Sequence, residues 1–339
     1  MKAAILTELN SPLVIDEVEL TPLKVGQVLV KVLISGLCGA QLQEIAGLKG
    51  NGKFLPHLLG HEGCGIVEEI GVGVTNVKVG DKVIMHWRKG NGIEAPFPTY
   101  IYKGKEMSSG KVTTLSEYTI ASENRLTPVP KGTPVELCAL LGCGLSTALG
   151  TINNDAKIKF GETVLVVGCG GVGINLIQGA RLAGAGDIYA VDITDSKKTI
   201  AESFGATYYN LSDTNNSFDA LTKFDCIIDT TGVMETISKV IPKLAADGRI
   251  ILISQPKQDS SITFKEPSKF FLGEGQTITS TQGGKTNPSV DFARYIKLWE
   301  KGMIHINTLI THTYSLDEIN TAIDVLKSGN AGRILIRTQ

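Results

Sequence analysis

No stretch of this 339-residue chain approaches the roughly 18 consecutive apolar residues that a membrane helix needs, so no membrane partner is expected. The opening Met1-Lys2-Ala3-Ala4-Ile5-Leu6 lacks the long apolar core of a secretory signal. Cysteine is sparse: six in the whole chain, scattered, with nothing resembling the disulfide framework of a small secreted domain. A cytoplasmic, reducing setting is therefore expected, where cysteines act as buried apolar groups, metal ligands or nucleophiles. A charge excess is missing too. Lys and Arg total 33 against 34 Asp and Glu, a formal net charge of −1, so nothing draws the whole molecule to nucleic acid or anionic lipid. Internal repeats and low-complexity linkers are absent. What remains is a balance of 42% hydrophobic and 20% charged residues, that of a soluble globular protein, in a chain long enough for two domains.

Up to about residue 148 the pattern is short β runs divided by turn signals. Gln27–Ile34 and Gly65–Gly71 read as strands, and Lys82–Met85 follows the turn dipeptide Gly80-Asp81. From about 149 the rhythm changes to strand then helix: 163–167, 174–184, 188–191, 196–204, 225–229, 234–245 and 249–253. That alternation predicts parallel strands with crossover helices, a doubly wound α/β sheet. The tail has helical stretches around 289–301 and 316–328 and ends in the apolar run Arg333–Ile336. It does not continue the sheet and is expected to return to the first domain.

The most informative stretch is Gly168-Cys169-Gly170-Gly171-Val172-Gly173, directly after the apolar strand Thr163–Val167. Gly168 and Gly170 permit a sharp turn and close approach of backbone to a pyrophosphate, and Gly173 permits close helix–sheet packing. Gly171 and Val172 lead into the helix, whose N-terminus offers free N–H groups and a positive dipole end. Asp192 ends the next strand about 20 residues on, where a ribose hydroxyl would need an acceptor. It would repel a 2′-phosphate, so NAD(H) is predicted over NADP(H).

Three glycine-flanked residues are metal-ligand candidates: Cys38, His61 and Cys143. Their separation along the chain is no local metal motif, and each cysteine by itself also reads as an ordinary buried thiol. Cys64, Cys138 and Cys226 are expected in the core. Cys169 fits the glycine turn because it is small. His57 and His86 lie in segments able to face a cleft.

Gly60-His61-Glu62 with its glycine-rich strand, Val79–Val83, the 168–173 turn, Gln282-Gly283-Gly284 and Leu316–Ala322 leading to Gly332-Arg333 occur in order over essentially the whole chain. Together they resemble the zinc-containing medium-chain alcohol dehydrogenases. The resemblance implies a GroES-like β-rich catalytic domain over 1–148, completed by 285–339, and a Rossmann NAD-binding domain over 149–284. It implies one catalytic zinc held by Cys38, His61 and Cys143, with Glu62 as a supporting group or occasional fourth ligand. Thiolates and imidazole suit Zn²⁺ and leave a position open for substrate oxygen. It further implies that Lys197 contacts the adenosine ribose, that Arg333 reaches the pyrophosphate, and that the protein is a homodimer or homotetramer.

Two departures from the family stand out. Ala40 occupies the usual place of a proton-relaying Ser or Thr, and Gln41 that of an Asp that orients the histidine ligand. A water chain, a substrate hydroxyl and modified zinc chemistry are the alternatives to the missing relay, and Glu62, Gln43 or a nearby histidine is expected to supply the other proton route. The structural-zinc cysteines are also missing, since no cysteine lies between Cys64 and Cys138. In their place stands an aromatic, basic segment over 86–105, where Arg88, Lys89, Lys103 and Lys105 could meet an anionic substrate or form a solvated face. The expected activity is NAD-dependent interconversion of an alcohol and its aldehyde or ketone. The alternatives are a polyol or sugar dehydrogenase, its substrate phosphorylated or not, and a non-catalytic NAD(H)-binding sensor.

Overall fold

The structure, a computed structural model, describes residues 1–50, 52–215, 217–221, 223–257, 259–264 and 275–339. It divides into two compact units, Met1–Gly144 with Asn287–Gln339, and Leu145–Thr286.

The first unit is built round the strand Gln27–Leu37, whose valines Val28, Val30 and Val32 are fully buried with Val67, Val83 and Met85. β-Branched residues at alternate positions fill one face of a pleated sheet. Antiparallel to this strand run Glu62–Ile70 on one side and, on the other, Tyr118–Ser122 and the C-terminal strand Arg333–Arg337. Lys82–His86 extends the sheet beyond Glu62–Ile70. Register then sets the site. Leu37 lies opposite Ile334, Ser35 opposite Gly63, and His86 opposite Glu62. Chain ends far apart in sequence are thereby stacked at one end of one sheet. A second six-stranded sheet contains Lys2–Leu6, His57–Leu58 and the hairpin Thr99–Tyr102/Lys105–Ser108.

Among its described residues the second unit holds six strands, all parallel, in the spatial order Thr207–Asn210, Ile188–Asp192, Val164–Val167, Phe224–Asp229, Leu244–Leu252, Thr277–Ser280. Val164–Val167 is buried along its whole length, as a central parallel strand covered on both faces must be. This is the doubly wound sheet that the strand–helix alternation predicts. Three details differ. The expected helix to 245 stops at Val240, and a single 3-10 turn, Ile241–Lys243, leads straight into the strand from Leu244. Pro242 has no N–H for the helix ladder and ends it. The edge strands Thr207–Asn210 and Thr277–Ser280 escape the sequence reading because they are short and lack a run of aliphatic residues, and Thr277–Ser280 is largely exposed.

Candidate functional site

Cys38 follows the strand Gln27–Leu37 and caps the short helix Gly39–Ile45. The third residue of that helix, Gln41, is buried and reaches back so that Oε1 accepts the Cys38 N–H at 2.9 Å. This is the reach-back half of a capping box, and it fixes which way the carboxamide points. Its Nε2 therefore faces His61 Nδ1 at 2.6 Å. An NH₂ group can only donate, so Nδ1 is the acceptor and the ring proton sits on Nε2. The hydrogen bond between His61 and the Cys38 sulfur is then made by that other nitrogen.

Glu62, the next residue, is fully buried. Ser35 and Thr114 hydroxyls donate to its carbonyl at 3.2 Å each and hold the main chain in place. Its Oε1 takes a charged bond from Arg333 Nη2 at 2.5 Å, and its Oε2 accepts the Gly144 N–H at 3.3 Å. Space for this pair exists because position 142 lacks a side chain: a Cβ there would lie 2.8 Å from the Glu62 Cβ and 2.5 Å from the Met85 carbonyl oxygen. Cys143 sits between Gly142 and Gly144, directly after the helix Val135–Leu141.

The ligand atoms of Cys38, His61, Glu62 and Cys143 all lie within 4.8 Å of one another. A tetrahedral ion with bonds of about 2.0–2.3 Å holds its ligand atoms about 3.3–3.8 Å apart, so the set lies within about an ångström of the spacing of one zinc centre, and its thiols and imidazole are the donors zinc takes. Electrostatics agree. The Cys143 thiol is hydrogen-bonded to Cys38, and His61 adds a hydrogen bond and a charge; against the cost of burial they hold the Cys38 thiol well below its usual range. The Cys143 thiol is correspondingly pushed up, first by that bond and then by burial. Burial opposes the imidazolium of His61, but the Cys38 bond and charge outweigh it and the net shift is upward. Glu62 is raised by burial despite Arg333. Arg333 resists its own burial through Glu62 and is held charged. Its Nε is buried with no hydrogen-bond partner among the described residues.

In the second unit the glycine turn behaves as a cradle. Gly168 adopts φ +89°, and a Cβ at Gly173 would sit 1.8 Å from the Gly168 carbonyl oxygen. A Cβ at Gly170 would meet nothing, so space beside that peptide is open. Val172 precedes the helix Gly173–Leu182, and no side chain caps it. Asp192 Oδ2 accepts the Cys169 N–H at 2.7 Å, which ties the strand end to the turn. Lys197 is nearly buried at the end of the 3-10 turn Asp195–Lys197. Burial lowers its pKa, with Asp192 acting against that. An open, uncapped helix entrance beside a carboxylate fits a dinucleotide.

The remaining candidates separate. Cys64, Cys138, Cys169 and Cys226 are buried free thiols, and Cys64 is hydrogen-bonded to Cys138. His86 does not face a cleft. It is buried, with Nδ1 donating to the Arg88 carbonyl at 2.7 Å, Nε2 accepting from Thr127 at 2.9 Å, and the Phe292 ring at its edge. His57 does face one: it is half-buried and lines a cavity of about 630 Å³ together with His61. From the basic segment only Trp87 and Phe97 line that cavity. Lys103 lies against Tyr102 and pairs with Asp16 at 3.8 Å, exposed. The Glu62–Arg333 pair escapes the sequence reading, although a charge inside the apolar run Arg333–Ile336 demands an opposite partner once buried.

Residues 24–131 match the alcohol dehydrogenase GroES-like domain family, and residues 171–301 the zinc-binding dehydrogenase family. The S-(hydroxymethyl)glutathione dehydrogenase of Paracoccus denitrificans is 30% identical over 383 aligned positions, covering 99% of both chains. Among solved structures, benzyl alcohol dehydrogenase from Acinetobacter calcoaceticus superposes with a TM-score of 0.88 at 25% identity, over 100% of this chain and 99% of that one. An alcohol dehydrogenase zinc-binding domain protein from Burkholderia ambifaria gives 0.89 at 26%, over 99% and 98%. The chain belongs to the zinc-dependent medium-chain alcohol dehydrogenases. It is an oxidoreductase acting on the CH–OH group of small molecules, with zinc and NAD as cofactors. No single helix among the described residues is long and apolar enough to cross a membrane.

Proposed function

We propose that the first unit is the catalytic domain, with Cys38, His61 and Cys143 as the ligands of one zinc and Glu62 as a reserve carboxylate whose oxygens are already bonded to Arg333 and Gly144. The second unit is the NAD-binding domain, using Gly168, Gly170, Gly171, Val172, Gly173, Asp192 and Lys197. Arg333, with an uncommitted Nε, is the phosphate-directed residue of the first unit. The reaction is NAD-dependent interconversion of an alcohol and its aldehyde or ketone, in the cytoplasm, by a homodimer or homotetramer. The observation that carries this reading is the convergence of four ligand atoms within 4.8 Å.

When bound, zinc polarises a substrate oxygen and lowers the pKa of its hydroxyl. The chain supplies the rest. Gln41 lies against Nδ1 of His61, and Arg333 holds the Glu62 carboxylate. Ala40 has no hydroxyl to pass a proton, so the alcohol proton needs another acceptor. His57 fits that role. Its Nδ1 donates to the Leu58 carbonyl at 3.1 Å, which leaves Nε2 with a free lone pair, and burial lowers its pKa so that it is neutral at pH 7. It lines the same cavity as His61. A sulfur or imidazole ligand replaced singly (Cys38→Ala, His61→Ala, Cys143→Ala) should abolish NAD⁺ reduction on an alcohol panel and lower bound zinc; full activity in any of the three would refute the assignment. His57→Gln should slow oxidation about 10-fold or more below pH 8, and an unchanged rate would remove His57 from the proton route.

A further inference from the structure

The cavity beside His61 is larger than a simple alcohol requires. Its volume, about 630 Å³, falls in the range of sites that enclose drug-sized ligands. Phe54, Trp87 and Phe97 supply apolar walls, and Lys111 and Arg125 line it as well. Glu94, which does not line the cavity, is the shared carboxylate partner of Lys89 at 3.5 Å, Lys111 at 3.7 Å and Arg125 at 3.2 Å. Three cations around one carboxylate leave positive charge in excess, and two of the three are turned toward the cavity.

These two are built in rather than loose. The Lys111 ammonium donates to the Ala95 carbonyl and lies 4.3 Å from the Phe97 ring centre. The Arg125 side chain is 8% exposed and donates to Asn124 Oδ1 at 3.0 Å. A held, partly desolvated cation attracts an anion more strongly than a mobile one in water and loses less entropy on binding. On another part of the lining, Lys49 is matched by Glu44 at 3.8 Å, so that region adds no comparable excess.

We propose that this cavity selects alcohols and aldehydes with an apolar body and an anionic far end, the reacting oxygen at His61 and the carboxylate or phosphate at Lys111 and Arg125. The proposal rests on the dehydrogenase reading above and adds the substrate class. Lys103 and Lys105 take no part in it.

The test compares kcat/KM with NAD⁺ for benzyl alcohol, 4-(hydroxymethyl)benzoate and 4-(hydroxymethyl)phenyl phosphate at fixed ionic strength, on the zinc-loaded enzyme. At least one anionic substrate should exceed benzyl alcohol about 10-fold or more, and the two arms show which anion fits. Lys111→Met and Lys111→Gln should each shrink that ratio several-fold, and added salt should shrink it in the wild type. Lys105→Met, which removes the same charge outside the cavity, should keep it. Equal kcat/KM for all three substrates, or a ratio intact in both folded Lys111 variants, would overturn the anionic subsite while benzyl alcohol oxidation left the dehydrogenase reading standing. No oxidation of any of the three would overturn both.

Discussion

Arg333 Nη2 meets Glu62 Oε1 at 2.5 Å across 271 positions of sequence, both side chains almost wholly out of solvent. The pair ties the C-terminal strand to the turn that carries His61. Removing one member leaves the other charge buried without compensation, which typically costs about 3–5 kcal/mol. Arg333→Met is therefore expected to destabilise the fold by about that amount in urea unfolding. The double variant Glu62→Gln/Arg333→Met should recover a large part of the loss. A double variant no more stable than the single one would show that the charges are not what couples these segments.

Gln41 gives a prediction specific to this chain. A ligating Nε2 must be unprotonated, which moves the His61 proton to Nδ1, and that N–H needs an acceptor. The Gln41 NH₂ cannot serve; only Oε1 can, and it already accepts the Cys38 N–H. A carboxylate accepts from both. Gln41→Glu should bind zinc about 10-fold more tightly in chelator competition, and Gln41→Leu more weakly by a similar factor. Equal affinity in all three would mean that Gln41 does not orient the imidazole.

The glycine turn allows fold and cofactor binding to be separated. Gly170→Ala adds a methyl group to open space, so thermal stability should hold while NADH affinity drops about 10-fold, measured by fluorescence titration. Gly173→Ala forces a methyl group onto the Gly168 carbonyl and should destabilise the second unit as well. Undiminished NADH binding in Gly170→Ala would remove this turn from the cofactor site.

His86 predicts an acid limb of stability. Burial pushes its imidazole down to about 3, against about 6.5 in an unfolded chain. Below pH 6.5 the unfolded state takes up a proton that the folded state refuses, so stability is complete above that pH and falls toward pH 3. The slope is about 1.4 kcal/mol per unit from this one group, or about 2 kcal/mol between pH 7 and pH 5. His86→Gln should flatten that part of the profile; an identical profile would assign the acid sensitivity elsewhere.

Period and punctuation made much of this molecule legible. The apolar run before Gly168 and the alternation after it specify a parallel sheet, because a buried central strand must be apolar throughout and a crossover must be helical. Short polar edge strands such as Thr277–Ser280 carry no such signature. At the site, residue types announced the chemistry of Cys38, His61 and Cys143, but their convergence depends on register between strands distant in sequence. The same holds for Glu62 with Arg333: each is visible as a charge, their contact only as a consequence of Ile334 lying opposite Leu37. His86 and His57 could not be sorted because burial is set by which face of a sheet packs. The cations of the cavity, Lys111 and Arg125, lie outside the 86–105 segment to which composition drew attention.

X-ray absorption at the zinc edge on the purified protein reads the ligand shell directly. One zinc per chain with two sulfur scatterers at about 2.3 Å and nitrogen or oxygen scatterers at about 2.0–2.2 Å is the predicted result. A shell without sulfur, or one of four sulfurs, would contradict a centre formed by Cys38, His61 and Cys143.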